Sequence, residues 1–387
     1  MPAASVDDLL RPWWERLEAD LPALRPFDAH THIGKNDPDG FRSSSGELIA
    51  LLAEVGARAA VFPMHEPDGY PAANDRILRE AEASAGRLVP FCRLDPHAAP
   101  VAEAERCLAA GARGIKLHPR AERFGLADRH ADGIFALAAE RRLPVLVHAG
   151  RGIPALGRDA LAICGRHPGV RLILAHAGIS DLSWIWRRVH DHPNLYFDTA
   201  WWSVSDLLAL FALVPPGRIL WASDAPYGTA LEAAVMTARC GLQAGLDGEQ
   251  VAGVLGGQME RLVEGGEPLD LGPAPGTEGI RADVLLQRIE AFLVIAVNRL
   301  MHGENAEEPL ALARLACEVG EDAPQADVCR SVLALLDRRE RLAGQGGSST
   351  PQAPGVHLAV IAAAVTRTPD VALPECPEPV EVGERSA

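Results

Sequence analysis

The chain has no Cys-x-x-Cys pair, and no apolar run reaches the ~20 residues that a membrane-spanning helix needs. Its seven cysteines are odd in number and scattered, which excludes a disulfide framework and reads as reduced, mostly buried thiols. Positive charge is scarce too. There are 37 Lys and Arg against 52 Asp and Glu, for a net charge of −15. A surface of that sign repels phosphates, so neither nucleic acid nor an anionic membrane is an expected partner. It leaves room for a basic pocket around a small-molecule substrate. The opening residues, MPAASVDDLLRPWWERL, are acidic and amphipathic and lack the basic-then-apolar order of a signal peptide. A cytoplasmic protein is the expectation.

What is present is an ordinary globular composition, 48% hydrophobic over 387 residues, enough for one large domain and a smaller one. Residues 5–20 have helical periodicity, with Leu9, Leu10, Trp13, Trp14 and Leu17 on one stripe. Apolar runs then alternate with helical stretches. Strands are expected at Phe27, Ala59–Met64, Leu88–Leu94, Gly114–His118, Pro144–His148, Arg171–His176, Leu195–Thr199 and Arg218–Ser223. The helices between them include Glu47–Val55, Val101–Ala110, Ile134–Arg141, Ala155–Arg166 and Asp206–Leu213, and Leu231–Cys240 is the last. Runs such as PVLV and RLILA lack period-two alternation, as strands buried on both faces do. Eight such strands, each followed by a helix, predict a parallel (β/α)8 TIM barrel over residues 1–265. A Pro/Gly-rich linker is expected over 266–280 and a small α-helical appendage over 281–343. Residues 344–387 read as a linker, a short apolar segment at His357–Thr366 and a disordered tail.

Function in such barrels sits at the C-terminal ends of the strands, so the residues found there carry the argument. The first strand ends in FDAHTHIG, where His30 and His32 are two apart and share a face. The fourth ends in GIKLHP, with Lys116 and His118. The fifth ends on His148, the sixth on His176, the seventh on Asp198 and the eighth on Asp224. Buried His and Asp are costly unless paired or ligated, and so many at strand ends of one barrel point to a metal. His30, His32 and His148 would supply nitrogens and Asp224 an oxygen, leaving a position for water. The metal would lower that water's pKa, and Asp224 could accept its proton. His176 would polarise a substrate carbonyl or shuttle a proton; the alternative is that it orients a ligand.

The set FDAHTHIG, GIKLHP, PVLVHAGRG, LILAHAG and LWASDAP resembles the amidohydrolase superfamily, in its amidohydrolase-related branch. That branch includes aminocarboxymuconate-semialdehyde and resorcylate decarboxylases. The likeness spans residues 27–265, and GGQMERLVEG resembles the helix that closes those barrels. The resemblance implies ligation by His30, His32, His148 and Asp224, with His176 as the catalytic histidine. It implies one divalent metal, zinc foremost, with manganese in some relatives. A second metal would follow only if Lys116 were carbamylated. The alternative keeps Lys116 as an ammonium that pairs with Asp198 or binds a substrate anion.

Arg151, Arg120 and Arg93 lie at or just beyond strand ends, where guanidinium groups would suit a carboxylate-bearing substrate. Trp201, Trp202, Tyr227, His65 and Asp198 are further lining candidates. The leading expectation is a hydrolase that uses metal-bound hydroxide on an amide, lactone or related carbonyl. A non-oxidative decarboxylase, a carboxy-lyase, would use the same ligands. A third reading is a non-catalytic scaffold whose appendage contacts a partner. A homo-dimer is the default oligomer.

Overall fold

In the computed structural model the alternating pattern becomes a (β/α)8 barrel. The structure describes residues 6–21, 24–150, 152, 154–344 and 355–374. Eight parallel strands follow one another around the sheet in chain order. They are β1 (Phe27–Ile33), β2 (Arg58–Pro63), β3 (Leu88–Arg93), β4 (Gly114–Leu117), β5 (Pro144–Val147), β6 (Arg171–Leu174), β7 (Leu195–Asp198) and β8 (Ile219–Leu220). The end of β8 returns to β1 through Ala29 N donating to Trp221 O at 2.9 Å and a parallel bridge between Thr31 and Ala225. Phe62, Phe91, Leu146, Ile173, Tyr196 and Leu220 belong to one buried apolar cluster with Met259. That accounts for the continuous apolar runs, since neither face of these strands meets water.

Several strands stop earlier than their apolar runs suggest. His118, His148 and His176 each stand just past the ladder. The eighth strand is shortest, and its polar surroundings explain why. Beyond Leu220 the backbone bonds to other groups: Trp221 N to Val254 O, Ala222 N to Thr199 Oγ1, and Ser223 N to Asp28 Oδ1. Side chains have taken over from the ladder where the site begins.

The N-terminal helix (Val6–Ala19) buries Leu10, Trp13, Trp14 and Leu17, and the Arg239 guanidinium lies 5.4 Å from the Trp13 ring centre. Residues 253–257 pass so close to the start of β1 that a Cβ on Gly256 would sit 2.0 Å from Arg25 O. Only glycine fits there.

The chain forms two compact units, dividing between Arg281 and Ala282. Residues 266–280, expected as a linker, are fastened to the first. Arg171 Nη2 donates to Gly266 O at 2.5 Å, Leu269 N to Gln258 Oε1 at 2.7 Å, Gln250 Nε2 to Leu271 O at 2.8 Å and Gly276 N to Ala212 O at 2.9 Å. Pro and Gly make this stretch irregular without making it free.

The second unit contains helices Val284–Met301, Glu307–Ala316, Ala326–Gly344 and Val356–Arg367. The last covers the short apolar segment, and it packs on the first and third helices of its unit. Nearly every residue of it is buried. A helix apolar all round shows no amphipathic stripe, so periodicity could not declare it. The stretch 345–354 and the tail beyond 374 lie outside the described residues.

Candidate metal centre

β1 places His30 and His32 side by side, with ring centres 5.1 Å apart. Thr31, between them, points away and donates to Ala60 O at 2.8 Å. The register of β1 against β2 shifts between Asp28 and Thr31, an irregularity of the kind that re-aims side chains at sites. From across the barrel Asp224 arrives with φ +57°, in the left-handed region that few non-glycine residues occupy. Its Oδ1 lies 3.1 Å from both His30 Nε2 and His32 Nε2. The donor atoms of these three residues lie within 4.8 Å of one another.

Asp198 fixes the orientation of His30. Its Oδ2 accepts from His30 Nδ1 at 2.8 Å, while Oδ1 accepts from His176 N at 2.7 Å and Ala200 N at 3.1 Å. With Nδ1 donating, Nε2 of the neutral ring carries the lone pair. Burial pushes the His30 and His32 imidazoles well below the usual histidine range, which keeps them in the neutral form that ligates. Burial also raises the Asp198 and Asp224 carboxyls and lowers the Lys116 ammonium. Lys116 Nζ lies 3.1 Å from His30 Nε2 and 4.8 Å from the Phe62 ring centre. The lone pair of His30 Nε2 and the Asp224 oxygen face each other at 3.1 Å, a contact that repels unless a cation or proton lies between them. Two imidazole nitrogens and a carboxylate oxygen therefore fit a borderline divalent cation.

His148, the other expected ligand, stands beside His176. His176 has φ +59°, and its Nδ1 donates to Ala200 O at 2.8 Å. Its Nε2 is 3.0 Å from His148 Nδ1, and its Nδ1 is 4.0 Å from Asp224 Oδ2. A Cβ on Gly150 would come within 2.6 Å of the His176 ring, so the turn after β5 needs glycine there. His118 stacks on His148 with ring centres 3.9 Å apart and 14° between planes.

Two members of this assembly carry no expected role in the sequence. His118 is one, although GIKLHP puts a histidine at a strand end. Asp28 is the other: buried, its Oδ1 accepts from His30 N and Ser223 N, both at 3.0 Å. The aspartate two residues before His30 was its only local signal.

The remaining candidates fall in different places. Arg93 is only 2% exposed and pairs with Glu122 at 2.8 Å, with its guanidinium carbon 4.9 Å from the Tyr70 ring centre. Glu122 also accepts from Tyr70 Oη and from His118 N. That charge is committed inside the protein. Asp198 is buried behind His30. Trp201 donates from Nε1 to Asp206 at 2.7 Å, with its ring 6.4 Å from that of His176. Trp202 and His65 each bury a nitrogen that has no hydrogen-bond partner among the described residues. Tyr227 donates to Asp37 at 2.5 Å and sets its ring 5.4 Å from that of His32. Arg120 is exposed, near Gly152 in the loop after β5. Arg151 lies outside the described residues.

Residues 27–264 match the family model described as Amidohydrolase, which is more than half of the chain. The chain belongs to the amidohydrolase family. No curated protein matches it. Among solved structures it is similar to 5-carboxyvanillate decarboxylase from Sphingomonas paucimobilis, at 16% identity and a TM-score of 0.50 over 62% of this chain and 99% of that one. An uncharacterized TIM-barrel protein, Bb4693, from Bordetella bronchiseptica gives the same four values. Dihydroxybenzoic acid decarboxylase from a Polaromonas species, solved with manganese and the inhibitor 2-nitroresorcinol, is 14% identical with a TM-score of 0.50, over 62% and 97%. At such identities the likeness is one of fold. The family match covers the barrel that carries the histidines and Asp224, and leaves the second unit unmatched.

Proposed function

We propose that this amidohydrolase-family chain is a metal-dependent hydrolase acting on an amide, lactone or related carbonyl of a small substrate. The observation that carries the reading is one oxygen of Asp224 set 3.1 Å from the Nε2 atoms of both His30 and His32. These three residues would hold the metal, with His148 as the further nitrogen ligand. A divalent cation there supplies Lewis-acid polarisation and activates water near neutral pH. Asp224 would accept the proton of the attacking water and pass it to the leaving group, and His176, whose Nδ1–H is held by Ala200 O, would shuttle a proton at Nε2. Asp198 holds His30 in the ligating tautomer. Lys116 stays uncarbamylated and supplies no bridging ligand, so the centre is mononuclear; with a metal on His30 Nε2, its amine or ammonium pairs with Asp198 or binds a substrate anion. Zinc suits the nitrogen-rich donor set, and manganese is the alternative.

A decarboxylase is the second reading. It is favoured by the Sphingomonas and Polaromonas decarboxylases, the latter with manganese, that share the barrel. In it Asp224 or His176 delivers a proton to carbon. The proposed setting is a cytoplasmic homo-oligomer with no nucleic-acid or membrane partner; among the described residues no helix is long and apolar enough to cross a membrane.

Elemental analysis of protein purified without chelator, beside Asp224→Asn, tests the reading. Zinc or manganese in the native chain, lost or weakened in the variant, is expected. No metal in well-folded native protein overturns it. A screen of lactones, amides and aromatic acids then separates the reactions, because release of carbon dioxide selects the decarboxylase.

A further inference from the structure

On the rim of the barrel, away from the centre just described, the chain repeats a short pattern. Asp95-Pro96-His97-Ala98 follows β3, and Asp128-Arg129-His130-Ala131 opens the helix Arg129–Glu140 that follows β4. Both are built alike. Asp95 Oδ1 accepts from His97 N at 2.9 Å, and Asp128 Oδ1 accepts from His130 N at 2.9 Å. The two turns bring their histidines together, edge to face, with ring centres 5.4 Å apart. Asp128 Oδ1 also lies 2.8 Å from His130 Nδ1, so the carboxylate and one nitrogen of that ring already face each other.

One donor atom each from His97, Asp128 and His130 falls within 4.8 Å of the others, the same closeness as in the barrel centre. Unlike that centre, this group lies at the surface, with both histidines exposed and Asp128 half-buried. Two imidazoles and a carboxylate match the preferences of zinc, copper(II) and nickel and are too nitrogen-rich for magnesium or calcium. Exposure lets water fill the remaining coordination positions.

We propose that His97, Asp128 and His130 form a second divalent transition-metal site, separate from the barrel centre. Both loops follow strand C-terminal ends, so the second metal sits on the rim of the face that carries the first. A metal there ties the loop after β3 to the helix after β4. It also gives a second metal per chain without any carbamylation of Lys116, so a count of two does not by itself identify a binuclear centre.

The test titrates zinc chloride into the full-length chain and counts the metal retained after gel filtration. The native protein, a His97→Ala/His130→Ala double variant and Asp224→Asn are run side by side. The double variant is expected to retain one zinc fewer than the native chain, with unchanged circular dichroism because both side chains are exposed. Asp224→Asn keeps that surface zinc whatever happens at the centre, so failure of one site is distinguishable from failure of the other. Copper(II) added to the native chain should show coupling to two imidazole nitrogens that the double variant loses. Equal zinc retention by the native chain and the double variant overturns the proposal.

Discussion

Asp198 has no access to solvent, yet three N–H groups end on its carboxylate. One oxygen serves the two backbone donors and the other serves His30. Asn at this position keeps the shape and changes the chemistry. Its carbonyl would have to remain on the backbone donors, which turns the amide NH2 towards His30 Nδ1. The ring then takes the other tautomer, and Nε2 carries a proton where the metal requires a lone pair. Asp198→Asn should therefore weaken metal affinity by about 10–100-fold with unchanged circular dichroism. Competition with a graded chelator series measures this, and native affinity in the variant would leave Asp198 a packing residue only. The sequence placed Asp198 at a strand end and suggested substrate or Lys116 as its partner. Its partner is 168 positions away, and only barrel closure pairs them.

At the scale of elements, polar caps and tethers decide where the apolar runs stop. Asp283 starts the helix Val284–Met301 by accepting from Leu285 N at 2.9 Å and Leu286 N at 3.0 Å, and its other oxygen accepts from Gln325 Nε2 at 2.7 Å. The Gln325 bond, with the backbone donors, holds its carboxyl below the usual aspartate range. A folded-state pKa below the unfolded one means a stabilisation present above about pH 4 and lost as pH falls through the folded value. Asp283→Ala should cost about 1 kcal/mol at neutral pH, as for other lost N-caps. Thermal melts at pH 7 and pH 3 check the sign: the gap between native and variant narrows in acid. A gap that widened there would assign the cap's contribution to something other than its charge.

For the whole molecule, the boundary between the two units matters most. Residues 266–280 look like a linker by composition but are bonded to the barrel unit at Gln258, Gln250, Arg171 and Ala212. A chain ending at Arg281 should fold and hold as much metal at the barrel centre as the full chain. One ending at Gly266 should melt lower, because it removes the Leu269 N–H from the buried Gln258 Oε1, among other bonds. Differential scanning calorimetry and metal analysis on both truncations test this. Equal melting temperatures would return 266–280 to the status of a linker.

Local information determined a large part of this protein. Strand order, the barrel and the histidines and aspartates at strand ends follow from apolar runs and from where they stop, and both are properties of neighbouring residues. Barrel topology then dictates that such ends share one face. Tertiary structure alone decided which polar residues gather at the candidate centre. Arg93 could have met a substrate carboxylate, but the fold buries Glu122 against it. Asp28 gains its role from Ser223, a neighbour only once the barrel closes, and His118 from His148, brought beside it by the pairing of β4 with β5. The helix Val356–Arg367 became a helix because its unit surrounds it, a condition no window of its own sequence contains.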